Sequence, residues 1–380
     1  MKTRPIFVKN AGRRVRYDEV SWYDWPFRQL IDSYFNTGDC AVWDSTLKLL
    51  AFNSNQNYDL NIQKFSAADI EKVRGQHDFI VLRGSNYIHP HMDWECFLPW
   101  LEAIELPVMC LGVGAQAASR MRMELPPEGK RIWKIISERT KSIGVRGTFT
   151  AEVLNDNGIK NAEVVGCPTL FRHRKAELKL KPVQLSQEAK VSFSIRRETG
   201  AGYTNDPHLF LRQQREMIER LSQEVNLFLT AHGETEEKVY YYRDPKRLAE
   251  VRARLIAEQW FAPDGGLMEH LYQTRLFFSD VVEHLDAFMT EMDATIGYRV
   301  HGILPSMAQG IPGVLLEYDT RSKELAESLG VPCLPVEQAL KMPLSEIFSP
   351  DRFAAFEAAF PANYQRMKDF LDSNGFANRM

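Results

Sequence analysis

The sequence predicts an α/β protein built from two doubly wound units. Three observations carry this. Short apolar runs alternate with longer amphipathic stretches along most of the chain, the pattern of parallel strands joined by crossover helices. The alternation fails between Lys175 and Lys190, where Lys, Glu and Gln mix with single apolar residues around Pro182, which reads as a linker. The chain has 380 residues, too many for one ordinary core but suited to two domains of ~150–200 residues each. The expected division is 1–180, 181–345 and a helical tail, 346–380.

Hydrophobic residues at 44% and charged residues at 26% permit a sizeable core. A formal net charge of -3 carries no footprint of nucleic-acid binding. Cys40, Cys96, Cys110, Cys167 and Cys333 are odd in number and scattered. They form no C-x-x-C pair, so neither a zinc site nor a disulfide framework is indicated, which fits a reducing cytoplasm. Met1 to Asp18 is basic and polar without the apolar stretch of a signal peptide. No run of ~18 apolar residues exists to cross a membrane. The expected location is cytoplasmic, with contact at the inner face of the membrane left open.

Ser21 to Phe52 has mostly helical spacing, broken at Asn36-Thr-Gly-Asp39, a turn signal. Asp39 is placed to cap the helix from Ala41 to Leu50. Trp22, Trp25 and Phe27, beside Arg28, suit a small N-terminal cap, or a contact with membrane or a lipid-linked acceptor. Asp78 to Leu82 predicts a buried strand ending at Arg83-Gly-Ser-Asn86. His89, His91 and Asp93 are residue types that bind metals, but Pro90 and the lack of further ligands nearby favour a plain loop. Leu106 to Leu111 is the next strand, followed by Gly112-Val-Gly114-Ala-Gln-Ala117, a G-x-G-x-x-A pattern. As a nicotinamide signal it is weak. No strand starting the protein leads into it, and no acidic residue closes a βαβ unit ~20 residues on. Lys141 to Arg146 is a further strand end, Thr148 or Thr150 can start a helix, and Asn161 to Val165 leads into Gly166-Cys-Pro-Thr169.

The second series opens with a strand, Val191 to Ile195, ending in the cation pair Arg196-Arg197. A helix from Asp206 to Glu224 follows, then a strand from Asn226 to Thr230 that ends at Ala231-His232-Gly233. Lys246 to Trp260 is an exposed helix, Leu276 to Ser279 a strand and Val282 to Met292 a helix. Ser322 to Leu329, Pro335 to Met342 and the tail Pro350 to Asn374 close the chain. The most informative stretch runs from Ala294 to Tyr318. Ala294 to Val300 should be extended, Gly302 should break it, and Ile303 to Gln309 should be a short helix with Pro305 in its opening turn. Gly310 stops that helix, and Gly313 to Tyr318 is a buried strand. Arg299 and His301 therefore stand where a strand ends and a helix begins. In open α/β sheets ligands bind at that edge, and a helix N-terminus suits an anion. For an isolated Arg-x-His the plain alternative is a surface Arg and a structurally bonded His.

The segments Gly-Tyr-Arg-Val-His-Gly302, Ala-Gln-Gly-Ile-Pro312 and Tyr-Asp-x-Arg-x-Lys323 resemble the C-terminal signature of the polysaccharide pyruvyltransferase family. The run from Ile143 to Phe171 is similar as well. The resemblance extends loosely from about Asn36 to Gly330 and leaves the first ~30 residues and the tail without a counterpart. It implies a GT-B arrangement, two Rossmann-like domains facing each other across a cleft, with 1–180 on the acceptor side and 181–345 on the donor side. It implies transfer of a pyruvyl group from phosphoenolpyruvate to a glycan as a ketal, with phosphoenolpyruvate as donor substrate and no cofactor or metal. In such a family an Asn-x-Gly-Asp element stands early at the cleft, which makes Asn36, Gly38 and Asp39 candidates for substrate contact. A glycine-rich loop is usual at Arg83-Gly84-Ser85. Here only Gly84 is kept, so Arg83 implies a different acceptor or an added anion ligand. The resemblance reads Gly112 and Gly114 as a glycine turn facing the cleft.

Ketal formation needs a proton on the methylene carbon of the donor and a grip on two anionic groups. His301 is the candidate acid. Arg299, with Arg196 and Arg197, offers guanidinium forks for carboxylate or phosphate. Arg321 and Lys323 would complete that grip, Gly302 lets the backbone turn beside it, and Asp39 would orient or deprotonate an acceptor hydroxyl. His232, at another strand end, is a second candidate. The partners implied are phosphoenolpyruvate and a glycan, free or lipid-linked. A sugar-nucleotide glycosyltransferase of the same architecture, with Glu317 on a ribose, and a non-catalytic glycan-binding protein are the alternatives.

Overall fold

The computed structural model describes residues 1–9, 14–16, 36–52, 59–61, 65–92, 97–117, 119–197 and 206–380. Trp22, Trp25, Phe27, Arg28, Asp93 and Cys96 lie outside the described residues, as does the helical pattern from Ser21 to residue 35.

Two separate sheets organise the chain. The first contains β1 (Pro5–Lys9), β2 (Arg14–Arg16), β3 (Asp59–Asn61), β4 (Phe79–Arg83), β5 (Val108–Val113), β6 (Ile143–Val145) and β7 (Ala162–Val164), in the order β3-β2-β1-β4-β5-β6-β7. β1 and β4 to β7 run parallel, while β2 pairs antiparallel with β1 and β3. The second contains β8 (Lys190–Ser194), β9 (Asn226–Thr230), β10 (Leu276–Phe277), β11 (Ala294–Gly297), β12 (Gly313–Glu317) and β13 (Cys333–Pro335), in the order β10-β9-β8-β11-β12-β13. Every pair in it is parallel. Counted from β8, that is the Rossmann order 3-2-1-4-5-6, whose switch point lies between β8 and β11. Helices cover both faces, which is why β5 and β11 are buried along their whole length.

β1 is absent from the sequence-based reading. Ile6 and Phe7 are fully buried, but the run is short and its flanks are basic, so it lacks the length of a strand signal. The helix expected from Ala41 to Leu50 begins earlier, at Thr37, and ends at Leu49. Asn36, not Asp39, caps it, its side chain accepting from the Gly38 N–H at 2.9 Å. Asp39 lies in the first turn instead, where its charge favours the helix dipole. In the central motif β11 stops at Gly297 and the helix spans Val300–Met307, so His301 and Gly302 lie in its first turn rather than before it. Pro305 is inside that helix, not in its opening turn.

Several sets of contacts among the described residues tie the domains together. The helix Thr37–Leu49 docks on the second sheet, the Thr37 N–H donating to the His232 carbonyl at 2.8 Å and its hydroxyl to the Ser279 carbonyl at 2.6 Å. The fully buried Arg172 bridges Asp44 and Asp286. The tail helix Pro350–Ser373 returns to the first sheet. There Phe376 packs on Phe79 with ring centroids 4.9 Å apart, and Asn374 accepts from the Ser142 N–H at 3.1 Å. Among the described residues no helix is long and apolar enough to cross a membrane.

Candidate active site

The parallel strands of both sheets point their C-terminal ends at one cavity of about 620 Å³, open solvent at its mouth included. The first domain contributes Gly84, Ser85 and Asn86 after β4, Gly112 in β5, Arg146 after β6 and Cys167 after β7. The second contributes Arg196 after β8, His232 after β9, Arg299 and His301 after β11, and Tyr318 and Arg321 after β12. Asn36, Gly38 and Asp39 enter from the docked helix. Arg196 and Arg299 thus flank the switch point itself. The lining holds four guanidinium groups (Arg146, Arg196, Arg299 and Arg321) and one carboxylate, Asp39.

The buried cations are held by specific partners. Arg299 Nη2 donates to Glu234 Oε1, and both side chains are almost fully buried. Burial pushes the Glu234 carboxyl up, but Arg299 and Arg196 outweigh it and leave it lowered. The Arg196 N–H donates to Gln214 Oε1 at 2.7 Å, and its guanidinium lies 5.1 Å from the centroid of the Tyr318 ring. Arg146 Nη2 donates to Asn86 Oδ1 at 2.6 Å. It occupies the space that a side chain at Gly114 would need, since a Cβ there would stand 1.7 Å from Nη2. Arg321 donates to Asp319 Oδ2 at 2.7 Å and also to the Tyr318 hydroxyl.

His301 Nε2 is 3.6 Å from Cys167 Sγ, which in turn is 3.0 Å from the Thr169 hydroxyl. Burial, then the fields of Arg146, His232, Arg321 and Arg83, hold the imidazole well below its ordinary pKa. Without an anion beside it the ring is neutral at pH 7. His232 is pushed down to about 3 by burial and by Arg299 and Arg196. Its Nε2 lies 3.2 Å from the Ser194 hydroxyl. Gly302 gives both groups room, because a Cβ there would stand 2.2 Å from Ser194 Oγ and 3.0 Å from His232 Nε2.

Three expected ligands are placed elsewhere. Arg197 turns away into a carboxylate cluster, 2.9 Å from Glu236, 2.5 Å from Glu237 and 2.7 Å from Glu258. With three carboxylates around it, Arg197 serves the second domain's interior and not the cavity. Lys323 is half-exposed and pairs with Glu317 at 3.0 Å in a separate cleft, so it does not complete the anion grip. Arg83 does not line the cavity. It lies 3.9 Å from Asp39 and 5.7 Å from the Trp43 ring centroid, acting on the site through its charge. Gly112 has φ +74, and a Cβ there would meet the Gly166 carbonyl at 2.8 Å, so the position requires glycine. The His89–His91 loop folds on itself, the His91 N–H donating to His89 Nδ1 at 3.2 Å. Among the described residues no cluster of three metal-binding side chains forms.

Sequence reasoning missed Arg146, Cys167, Tyr318 and Glu234. Arg146 had the same signal as Arg196, an Arg directly after an apolar strand. Glu234 had none, because its partner Arg299 is 65 residues away.

The family model for polysaccharide pyruvyl transferase matches residues 8–320. The chain belongs to this family. As a pyruvyl transferase family member it is a transferase, and the match reaches further towards the N-terminus than the resemblance did. It takes in the last two residues of β1, Val8 and Lys9. Arg321 and Lys323 lie just beyond it. No curated protein matches the chain. Among solved structures it is similar to a putative UDP-N-acetylglucosamine 2-epimerase from Listeria monocytogenes, at 14% identity and TM-score 0.47, covering 89% of this chain and 94% of that one. UDP-GlcNAc 2-epimerase from Methanocaldococcus jannaschii matches at 13% identity and TM-score 0.46, covering 98% and 100%. α,α-Trehalose 6-phosphate synthase from Burkholderia multivorans matches at 15% and TM-score 0.43, covering 93% and 81%.

Proposed function

We propose that this pyruvyl transferase family member takes its pyruvyl group from phosphoenolpyruvate and forms a cyclic ketal on two hydroxyls of a glycan. The observation that carries the donor assignment is the convergence of four guanidinium groups on one cavity, Arg196 and Arg299 at the switch point of the second sheet and Arg146 and Arg321 from neighbouring strand ends. Glu234 and Asp319 pair with Arg299 and Arg321 and hold them in place, and guanidinium forks so held suit a small ligand carrying both a phosphate and a carboxylate.

In the first step the donor's C3 methylene accepts a proton and C2 becomes cationic. An acceptor hydroxyl adds to C2 and gives up its proton. The C2–O bond to phosphate then breaks, inorganic phosphate leaves, and the second hydroxyl adds to the renewed cation and loses its proton. No electrons are transferred. Arg299, held by Glu234, and Arg196, seated over Tyr318, fix the anionic groups. His301 supplies the proton to C3. It is neutral without an anion, so the donor's own negative charge is what loads it. Two or more negative charges beside the ring offset the arginine field and raise the imidazole pKa. The proton donor is then charged only when there is a substrate to protonate. Asp39 lines the cavity wall, and in this reading it takes the acceptor's proton.

Phosphate release from phosphoenolpyruvate in the presence of extracted cell glycans tests the reading. Release that depends on glycan supports it. Release of a nucleoside diphosphate from a sugar nucleotide, with phosphoenolpyruvate untouched, would replace it with the glycosyl-transfer alternative.

A further inference from the structure

A second cleft, about 1220 Å³ with its open mouth, lies outside the ends of β12 and β13. Tyr318 lines both cavities. The partition is the short loop after β12. Arg321 faces the first cavity, and its partner Asp319 lines the second. The two spaces differ in charge. The first is lined by Arg146, Arg196, Arg299 and Arg321, while in the second Asp319 is paired with Arg321 and Glu317 with Lys323, which leaves Asp206 and Glu337 against Arg120. Phe210 and Val336 provide apolar surface, and Gln213, donating to Glu337 at 2.8 Å, adds an ordered amide.

We propose that this second cleft seats an uncharged sugar unit of the acceptor, next to the unit that receives the pyruvyl group. The word acceptor rests on the pyruvyl-transfer reading, but the sugar site does not. A net negative lining repels phosphoenolpyruvate, nucleotide phosphates and a lipid diphosphate alike. A neutral polyol meets no such repulsion. Its hydroxyls donate to carboxylates, its C–H faces cover Phe210 and Val336, and the mixture of apolar surface with a few placed polar groups is what a small-molecule pocket needs. Tyr318 lines both cavities, so a sugar in the second cleft lies across this partition from the anion cavity, and the next unit of the same chain would reach over it. The glycan would thus be gripped on the second domain by a sugar, and any phosphate it carries would lie outside this cleft.

The test is binding, measured apart from turnover. Saturation-transfer NMR with lactose, cellobiose and maltose should show at least one of them bound to the wild-type chain. Glucose 6-phosphate should show weaker transfer than glucose. Glu337→Trp, an exposed position at the rim, should weaken disaccharide binding by about tenfold or more, while the thermal shift given by phosphoenolpyruvate stays the same. Glu317→Ala serves as the second variant and should also weaken it if Glu337→Trp does not fold. Disaccharide binding that neither variant changes, binding that phosphoenolpyruvate displaces, or no binding of any of the three sugars would overturn the proposal. Failure of phosphoenolpyruvate to shift the wild-type protein would instead strike the donor assignment and leave the sugar result standing.

Discussion

Gly38 lies against His301 so closely that a Cβ at position 38 would stand 2.9 Å from the histidine Cβ and 3.0 Å from its Nδ1. The helix of the first domain therefore presses its opening turn on the candidate acid of the second. Gly38 is placed by its own helix cap, Asn36, and by the Thr37 N–H bonded to the His232 carbonyl. The absence of a side chain at Gly38 is what lets the two domains meet around the imidazole.

Gly38→Ala should accordingly push His301 out of line or part the domains slightly. The expected outcome is a loss of turnover of at least tenfold with a modest change in thermal stability, since overpacking costs ~1–3 kcal/mol. Kinetics and melting temperature on one sample check it. A variant with normal turnover would show that the contact relaxes freely.

His301→Gln should reduce turnover by ~10²–10⁴-fold while phosphoenolpyruvate still binds through the arginines. The proton balance gives a sharper readout. The His301 pKa is lowered in the protein, and a bound anion raises it, so binding should take up a proton. Affinity for the donor should then gain as pH falls between the bound and free pKa values. Calorimetry in two buffers of different ionisation enthalpy should show that uptake in the wild type and not in His301→Gln. Equal uptake in both would remove His301 as the loaded acid.

Glu234→Gln keeps an acceptor beside Arg299 but removes the charge. Turnover should fall about tenfold or more as the guanidinium loses its fixed direction, with donor affinity no weaker than the wild type because the positive charge remains. The acid limb of stability should change too. A carboxyl lowered in the folded state stabilises above its unfolded pKa, and that contribution is lost as pH falls through the folded value. The Glu234 carboxyl is lowered, so the variant should lose less stability below about pH 4 than the wild type. Parallel acid-unfolding curves check the sign.

Arg172→Met should be destabilising by ~3–5 kcal/mol, because Asp44 and Asp286 lose the buried guanidinium between them. Adding Asp44→Asn and Asp286→Asn to the same chain should recover part of the loss. Denaturant unfolding of the single and triple variants measures it, and equal instability in both would locate the effect in packing instead.

What the sequence determined by itself is local. The apolar runs specified most of the parallel strands of two α/β units, though not β1. The Arg-x-His between β11 and its helix marked the site, because strand end and helix start are both written in short segments. Only tertiary structure decided which strand ends converge. Arg196 and Arg197 are neighbours in sequence, yet one lines the cavity and the other is buried among Glu236, Glu237 and Glu258. Backbone geometry sends adjacent side chains after a strand in different directions, and periodicity cannot say which direction is inward. Arg146, Glu234 and Gly38 acquire their roles from partners on the other domain or on another loop. Glu234 reaches Arg299 across 65 residues of chain, a contact set by how the parallel strands pack together, and no local pattern records it.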